Sequence, residues 1–232
     1  MTLKLGIPSK GRLMEKTFDW FGARGIEMRP AGSGREYLAE VAVDGLEIVL
    51  LAAGEIPREL GAGRIHLGVT GMDVVQDRLP HWDMQVKELA QLGFGHADLT
   101  IAVPDFWHDV STLHDLDAAA AAFRATHGHR LRIATKYHRL VREFLRLQGV
   151  ADYSLVDSQG ATEGTVRNLT AEAIADITST GETLRANHLR PLEDGVILKS
   201  QAALYKSRAA DWSADGRSLF AALIEKIGLG AS

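Results

Sequence analysis

The sequence predicts an α/β fold with mainly parallel sheets and helices on both faces. Short apolar runs typical of buried strands alternate with amphipathic helical patterns. Because a parallel strand must be reached through a crossover, this alternation favours parallel pairing. Two crossings, at 93–105 and 185–191, divide the pattern. They predict a discontinuous first domain (1–95 plus 190–232) and an inserted second domain (96–189), with a cleft between the two lobes.

The individual elements follow in order along the chain. The predicted strands are 3–7, 37–43, 46–51, 66–70, 86–92, 99–103, 131–134, 153–156, 173–176 and 195–204. The predicted helices are 13–22, 55–61, one opening at 71–73, 116–126, 135–147, 169–172, one following the turn at 178–183, and 215–227. Ligands of open α/β sheets bind at the carboxyl ends of strands, so polar residues at those ends are the candidate site residues.

Composition excludes several classes of function. The chain has 232 residues, a net charge of −4 and 46% hydrophobic residues, which argues against broad binding to nucleic acids or anionic membranes. Without cysteine it has neither disulfides nor thiolate metal sites. No apolar run reaches the roughly 20 residues of a membrane span. Because the N-terminus enters a strand pattern directly, with no leader pattern, we expect a cytoplasmic protein.

The most distinctive motif follows the apolar run 173–175. An acid at a strand end is succeeded by four hydroxyl residues and a glycine, which is typical of a loop that binds a phosphate through backbone N–H groups. The acid could accept hydrogen bonds from a ribose diol, so the motif favours a 5-phosphoribosyl group. The alternative is an ordinary turn in which Thr180 caps a helix. The candidate ligands are Asp176, Thr178, Ser179, Thr180, Gly181, Glu182 and Thr183.

Other strand ends carry further polar residues, which are candidates for binding ATP and its phosphates. They are Lys10, Gly11, Arg12, Arg35, Asp73, Lys136, Tyr137, Glu163 and Gly164. The cations could neutralise phosphate charge, and arginine is suited to bidentate contact. Each residue also has a structural alternative, as a solvated turn, a helix start or a surface side chain. The histidine spacing shows no helical pair with a third ligand, so no metal site made by side chains is predicted.

Taken together, these segments resemble the ATP phosphoribosyltransferase family over essentially the whole chain. The matching pieces are 7–13, 68–73, 133–137, 160–164 and 176–184 with 186–187, of which the last is the most specific. The resemblance implies a two-lobed fold like that of type II periplasmic binding proteins. It also implies the first step of histidine biosynthesis, in which N1 of ATP attacks C1 of phosphoribosyl pyrophosphate and pyrophosphate leaves with inversion.

The resemblance carries further expectations about the enzyme. It implies Mg²⁺ bridging the substrate phosphates, and catalysis by positioning and electrostatics, with Lys10 and Arg12 as candidates and no covalent nucleophile. The chain is similar to the short form of the family, which lacks the C-terminal regulatory domain. A homodimer is implied, as is a hetero-oligomer with a regulatory subunit related to histidyl-tRNA synthetase.

One segment departs from the family pattern. Where much of the family has an arginine before an Asp-Ile-Pro element, this chain reads Leu51-Ala52-Ala53-Gly54-Glu55-Ile56-Pro57. That phosphate contact is therefore lost or falls to Arg58 or Arg35.

The sequence leaves three alternative functions to weigh. A weak catalyst that needs its partner is one of them. A solute-binding protein of the same fold is another, but it would leave the loop at 176–183 unexplained. A nucleobase-salvage phosphoribosyltransferase usually has two acids before that loop, whereas here Ala175 precedes Asp176.

Overall fold

The computed structural model describes residues 2–30, 38–158 and 160–230. The chain forms two compact units: Met1–Gly95 with Gln201–Ser232, called the first unit, and His96–Ser200, called the second unit. The second crossing therefore lies at 200/201, eleven residues beyond the predicted 189/190. The reason is that β11 (Leu189–Ser200) pairs antiparallel with β7 (Ala97–Pro104) and so belongs to the inserted unit.

The first unit is built on a seven-stranded sheet of order β2-β3-β4-β1-β5-β12-β6. Its strands are β1 Leu3–Pro8, β2 Met28–Pro30, β3 Leu38–Val41, β4 Leu46–Leu51, β5 Leu67–Gly71, β6 Val86–Gln91 and β12 Ala202–Ser207. Its helices are α1 Gly11–Gly22, α2 Ile56–Gly61, α3 Met72–Arg78, α4 Trp82–Gln85 and α9 Ala214–Lys226.

Both faces of this sheet are covered. Phe21 of α1 and Leu223 of α9 pack with Leu5 on one face, while Ile56 and Leu60 of α2 pack on the other. Close approach on the second face depends on a glycine in β5. A Cβ added at Gly68 would lie 2.7 Å from Ile56 Cγ2 and 3.0 Å from Leu60 Cδ1, so any larger residue would push α2 away.

The second unit contains a five-stranded sheet of order β11-β7-β10-β8-β9. The remaining strands are β8 Leu131–Thr135, β9 Tyr153–Asp157 and β10 Ala173–Thr178. The helices are α5 Leu113–His127, α6 His138–Leu147, α7 Gly164–Arg167 and α8 Glu182–Ala186. Alternation along β10 divides the core: Ala173 and Ala175 face the cluster with α5 and α6, and Ile174 faces the cluster with Leu184 of α8.

The α/β class with helices on both faces is confirmed, but the prediction of mainly parallel sheets was wrong. In the described part of the chain, β1 runs parallel to β4 and β5, and β8 runs parallel to β9 and β10. The other pairings are antiparallel. The difference arises because β3 and β4 form a hairpin, and because the strands next to the two crossings return against their neighbours.

Three element predictions also differ from the structure. The short helix predicted at 169–172 lies earlier, as α7, and ends before Leu169, whose positive φ of 56° is left-handed. The single strand predicted at 195–204 is two strands, β11 and β12, which are separated at Gln201 and belong to different sheets. The sequence pattern did not indicate β2 or α4, which span only three and four residues.

Candidate functional site

In the second unit, three parallel strands end at the same edge of the sheet. The registers pair Ala175 with Thr135 and Thr135 with Asp157. The residues that follow, Asp176 and Lys136, are therefore side by side, with Ser158 next along the edge. The parallel topology brings together the second-unit candidates, which are far apart in sequence.

Asp176 is the best-defined side chain of this edge. It is 8% exposed, and its Oδ1 accepts a hydrogen bond from the backbone N–H of Ile177 at 2.8 Å. Lys136 Nζ lies 3.1 Å from the same oxygen. A largely buried carboxylate needs such partners, since an unpaired buried charge is costly. Asp176 is thus held in one orientation before any ligand arrives.

The loop after Asp176 is closed by its own hydroxyl groups. Thr178 Oγ1 accepts from the N–H of Gly181 at 3.0 Å, and Thr180 Oγ1 accepts from the N–H of Glu182 at 3.3 Å. Gly181 has a φ of 72°, the left-handed region that favours glycine. Both hydroxyls keep a hydrogen with which to donate to a ligand.

The backbone N–H groups of two loop residues, Ser179 and Thr180, are available to bind a ligand. In residues 2–30, 38–158 and 160–230, neither Ser179 nor Thr180 donates its backbone N–H to an acceptor. Ser179, Thr180, Glu182 and Thr183 are all exposed. Successive backbone N–H groups beside exposed hydroxyls are the donors that anion-binding loops use. This geometry favours the phosphate loop over the capped turn, because Thr180 caps only through its contact with Glu182.

A second loop at the same edge is anchored by buried hydroxyls. Ser158 Oγ donates to Thr162 Oγ1 at 3.2 Å, and Thr165 Oγ1 donates to the carbonyl oxygen of Thr162 at 2.6 Å. These contacts fix the start of α7, where Glu163 and Gly164 are half-buried. Sequence reasoning missed Ser158 and Thr162. Ser158 directly follows the observed strand β9 and lies two residues beyond the predicted strand 153–156, so the same strand-end rule could have found it.

Tyr137 and Lys136 occupy the turn from β8 to α6. The backbone N–H of Tyr137 donates to the buried Oγ1 of Thr135 at 3.0 Å, and Tyr137 as a whole is only 5% exposed. Lys136 Nζ lies 5.5 Å from the centroid of that ring. Tyr137 therefore supports the turn from within, and Lys136 is the residue that faces the edge.

The first unit has a comparable edge. Pro8 pairs with Leu51 in parallel register, and the turn that follows places Lys10, Gly11 and Arg12 at the start of α1, where all three are exposed. Gly11 has a φ of 72° and open space where a Cβ would stand, so its backbone conformation is what requires glycine. Within the ranges that the structure describes, neither Lys10 nor Arg12 forms an ion pair. Both charges are therefore available to an anion.

Asp73 is placed differently from these cations. It is 5% exposed in the first turn of α3. Burial, then Glu88 and, as the smallest contribution, Asp73 raise the pKa of Tyr205 far above the ordinary range. This interior position favours the alternative of a helix first-turn acid. Arg35, the remaining candidate, lies outside the described residues.

Metal binding and membrane insertion are two other functions to consider for the described residues. No three His, Asp or Glu side chains there converge in a way that could hold a metal ion. No helix in those ranges has the length and apolar content to span a bilayer.

Comparison with known proteins gives a consistent result. The profile of the family described as ATP phosphoribosyltransferase matches residues 52–228. A protein of that name from Cereibacter sphaeroides is 72% identical over 230 residues, covering 99% of this chain and 97% of the relative. Another, from Chelativorans sp., is 49% identical, covering 94% and 95%. A third, from Rhodopseudomonas palustris, is 46% identical and is covered over 69% of its length.

Solved structures resemble the chain in fold. The ATP phosphoribosyl transferase (HisG:HisZ) complex from Thermotoga maritima aligns with a TM-score of 0.74 at 21% identity, over 97% of this chain and 96% of that one. The arginine-bound ArgBP from the same organism aligns with a TM-score of 0.54 at 12% identity, over 97% and 94%. The second alignment supports the predicted two-lobed fold of the type II periplasmic binding proteins.

Proposed function

This chain belongs to the ATP phosphoribosyltransferase family, and from that premise we propose which of its residues carry out the reaction. The enzyme condenses ATP with 5-phosphoribosyl 1-pyrophosphate, in the first step of histidine biosynthesis. A bond forms between adenine N1 and ribose C1, and the bond from C1 to the pyrophosphate oxygen breaks. Since the attacking N1 carries no proton, the reaction needs no general base at that atom.

Asp176 and the loop that follows bind the phosphoribosyl group. The observation that carries this assignment is the carboxylate of Asp176, which its partners hold at a strand end. Beside it are the backbone N–H groups of Ser179 and Thr180, which have no acceptor among the described residues. Asp176 accepts hydrogen bonds from the ribose hydroxyls. The 5-phosphate is bound by the loop, whose members are Thr178, Ser179, Thr180, Gly181, Glu182 and Thr183.

Catalysis comes from positioning and charge rather than from a covalent intermediate. Loss of pyrophosphate builds positive charge on the ribose and negative charge on the leaving group, so fixed cations assist the step. Lys10 and Arg12, which are exposed at the start of α1 and form no ion pair within the described residues, are our candidates for neutralising the phosphates. Gly11 allows the backbone there to approach an anion. Glu163 and Gly164 are assigned to the substrate ribose or the adenine edge.

Mg²⁺ would supply further charge neutralisation at the pyrophosphate. An ion held mainly by phosphate and water oxygens needs few ligands from the protein, and we assign no side chain to it.

The partner and location complete the proposal. The Thermotoga maritima structure is a complex of HisG with HisZ, and we propose that this chain likewise binds a regulatory subunit, one related to histidyl-tRNA synthetase, and forms a homodimer itself. A biosynthetic enzyme that uses ATP and phosphoribosyl pyrophosphate belongs in the cytoplasm, where both substrates are made.

The test is an assay of the purified chain with Mg²⁺, ATP and phosphoribosyl pyrophosphate, in which pyrophosphate and phosphoribosyl-ATP are both measured. Equal amounts of the two products, formed only when both substrates are present, are expected. If neither forms, the assay is repeated with a purified regulatory subunit. Absence of phosphoribosyl-ATP under both conditions would overturn the proposed function.

A further inference from the structure

We infer that Lys136 is a positioning residue, which acts on the phosphoribosyl group through Asp176 and does not itself bind a phosphate. The inference rests on the proposed function and gives Lys136 a different role from the ATP or phosphate ligand that the sequence suggested. It is carried by the distribution of contacts over the two oxygens of the Asp176 carboxylate.

The backbone hydrogen bond to that carboxylate and its shortest contact with Lys136 fall on the same oxygen. The N–H of Ile177 donates to Oδ1 at 2.8 Å, and Lys136 Nζ lies 3.1 Å from the same atom. In the described part of the chain, the other carboxylate oxygen, Oδ2, accepts no hydrogen bond. Every polar side-chain atom there that is fully buried does have a hydrogen-bond partner, so Oδ2 is not fully buried. Oδ2 is therefore open to solvent. Two donors on Oδ1 fix the plane of the carboxylate, and Oδ2 is the atom presented to a ribose hydroxyl.

Burial explains why Lys136 stays on this oxygen. The Asp176 side chain is 8% exposed, whereas that of Lys136 is 34% exposed. If the ammonium group moved to a phosphate, the carboxylate would be left largely buried with only the N–H of Ile177, and an unpaired buried charge is strongly unfavourable. The same move would place an uncompensated negative carboxylate close to an incoming polyanion, which would repel it.

The backbone around Lys136 is also fixed. The N–H of Tyr137 is bound to Thr135 Oγ1 at 3.0 Å, and Ser158 donates its N–H to the carbonyl oxygen of Thr135 at 3.1 Å. The parallel register of β8 and β10 then sets Lys136 beside Asp176. A side chain placed by two strands and a fixed turn suits an orienting role, since its geometry exists before substrate binds.

The test is a double-mutant cycle on phosphoribosyl pyrophosphate binding, measured by titration calorimetry with Lys136→Met, Asp176→Asn and the double variant. Lys136→Met is expected to weaken binding about 10- to 100-fold, the scale of a lost contact to a charged group. In the Asp176→Asn background the same substitution should change binding by less than about twofold, because its effect passes through the carboxylate. Lys136→Arg should recover most of the affinity.

Lys199→Met is the matched control, because Lys199 is an exposed lysine of the same sheet whose backbone lies opposite that of Asp98 in the register of β11 and β7. It should bind phosphoribosyl pyrophosphate like the wild type. If a thermal melt shows that Lys136→Met is misfolded, Lys136→Gln replaces it in the cycle.

The outcomes separate this inference from the proposed function. An equal loss from Lys136→Met in both backgrounds would mean that Lys136 contacts the ligand directly, and would overturn the inference while leaving the transferase intact. Unchanged binding in the single variant would overturn it as well. Failure of the wild type to form phosphoribosyl-ATP would instead remove the proposed function on which both depend.

Discussion

The guanidinium group of Arg185 occupies the space beside Gly181: a Cβ built on that glycine would lie 3.0 Å from Arg185 Nη1. The other terminal nitrogen, Nη2, donates to the carbonyl oxygen of Thr180 at 3.2 Å. The arginine therefore closes the loop that follows Asp176, across the one loop residue that has no side chain. The loop depends on this glycine for its left-handed backbone and for the position of Arg185.

Gly181→Ala should affect both stability and binding. A left-handed alanine costs about 1–2 kcal/mol, and the methyl group displaces Arg185 from Thr180. We expect the free energy of unfolding to fall by about that amount and phosphoribosyl pyrophosphate to bind more weakly, as measured by chemical denaturation and calorimetry. Gly128→Ala is the control, because Gly128 has a φ of 74° with open space around it. It should lose similar stability but bind normally; equal binding by the two variants would contradict the proposed loop.

Asp176→Asn should reduce kcat/KM for phosphoribosyl pyrophosphate by about one to three orders of magnitude, the scale of a lost charged contact to the reacting substrate. The amide keeps the size of the side chain, so circular dichroism should be unchanged. Asp105→Asn provides the comparison, since Asp105 is an exposed acid of the same unit that pairs with His188 at 3.3 Å. Wild-type activity in Asp176→Asn would place the ribose site elsewhere.

Glu172→Gln should destabilise the protein in a pH-dependent way. Burial alone would raise the pKa of Glu172, but the hydrogen bonds and the charge of Arg132 lower it below its usual value of 4.5. Because the pKa is lower in the folded state, the stabilisation is present above about pH 4.5 and is lost as the pH falls through the folded pKa.

We therefore expect the variant to be less stable than the wild type by about 1–3 kcal/mol at neutral pH, and the difference to shrink below about pH 4.5. Urea denaturation across this range measures it. A difference that stays constant with pH would show that the contact with Arg132 does not depend on the ionised carboxylate.

His66→Ala should destabilise the first unit. Nδ1 of His66 accepts from the backbone N–H of Lys4 at 3.1 Å, so Nε2 carries the proton and donates to the carbonyl oxygen of Asp211 at 3.2 Å. Removing the ring leaves a backbone N–H without its acceptor, which costs about 1–3 kcal/mol. His108→Ala, at an exposed position, should change stability little. If the two variants had the same denaturation midpoint, the hydrogen bonds of His66 to Lys4 and Asp211 would not stabilise the first unit.

Local patterns predicted most elements of the fold. Apolar runs located the strands, and the hairpin at Asp44-Gly45 was visible because its turn chemistry is local. Strand direction was not predictable in this way. The residues around Gln201 do not indicate that β11 and β12 belong to different sheets. The sheet that each strand joins depends on its pairing partner, β7 for β11 and β5 for β12, and both partners lie far earlier in the sequence.

The candidate site was predictable in residue type but not in contacts. The carboxylate at Asp176 and the hydroxyl-rich loop followed from their order along the chain. The pairing of Lys136 with Asp176 could not be predicted from that order, because it depends on the register between β8 and β10. Asp73 was a candidate ligand because it is an acid that follows a strand. Its burial could not be predicted from the sequence, because it results from the packing around α3.

The position of β12 between β5 and β6 has a consequence for synthesis of the chain. β6 pairs with β12 in the described residues, so it has no neighbouring strand until residues beyond 200 have left the ribosome. The second unit is continuous from His96 to Ser200 and can complete its sheet earlier. Domains generally fold as units during translation. The inserted unit is therefore expected to fold before the unit that contains the N-terminus. A truncated chain that ends near residue 200 would lack β12 and would leave the β12-facing edges of β5 and β6 exposed.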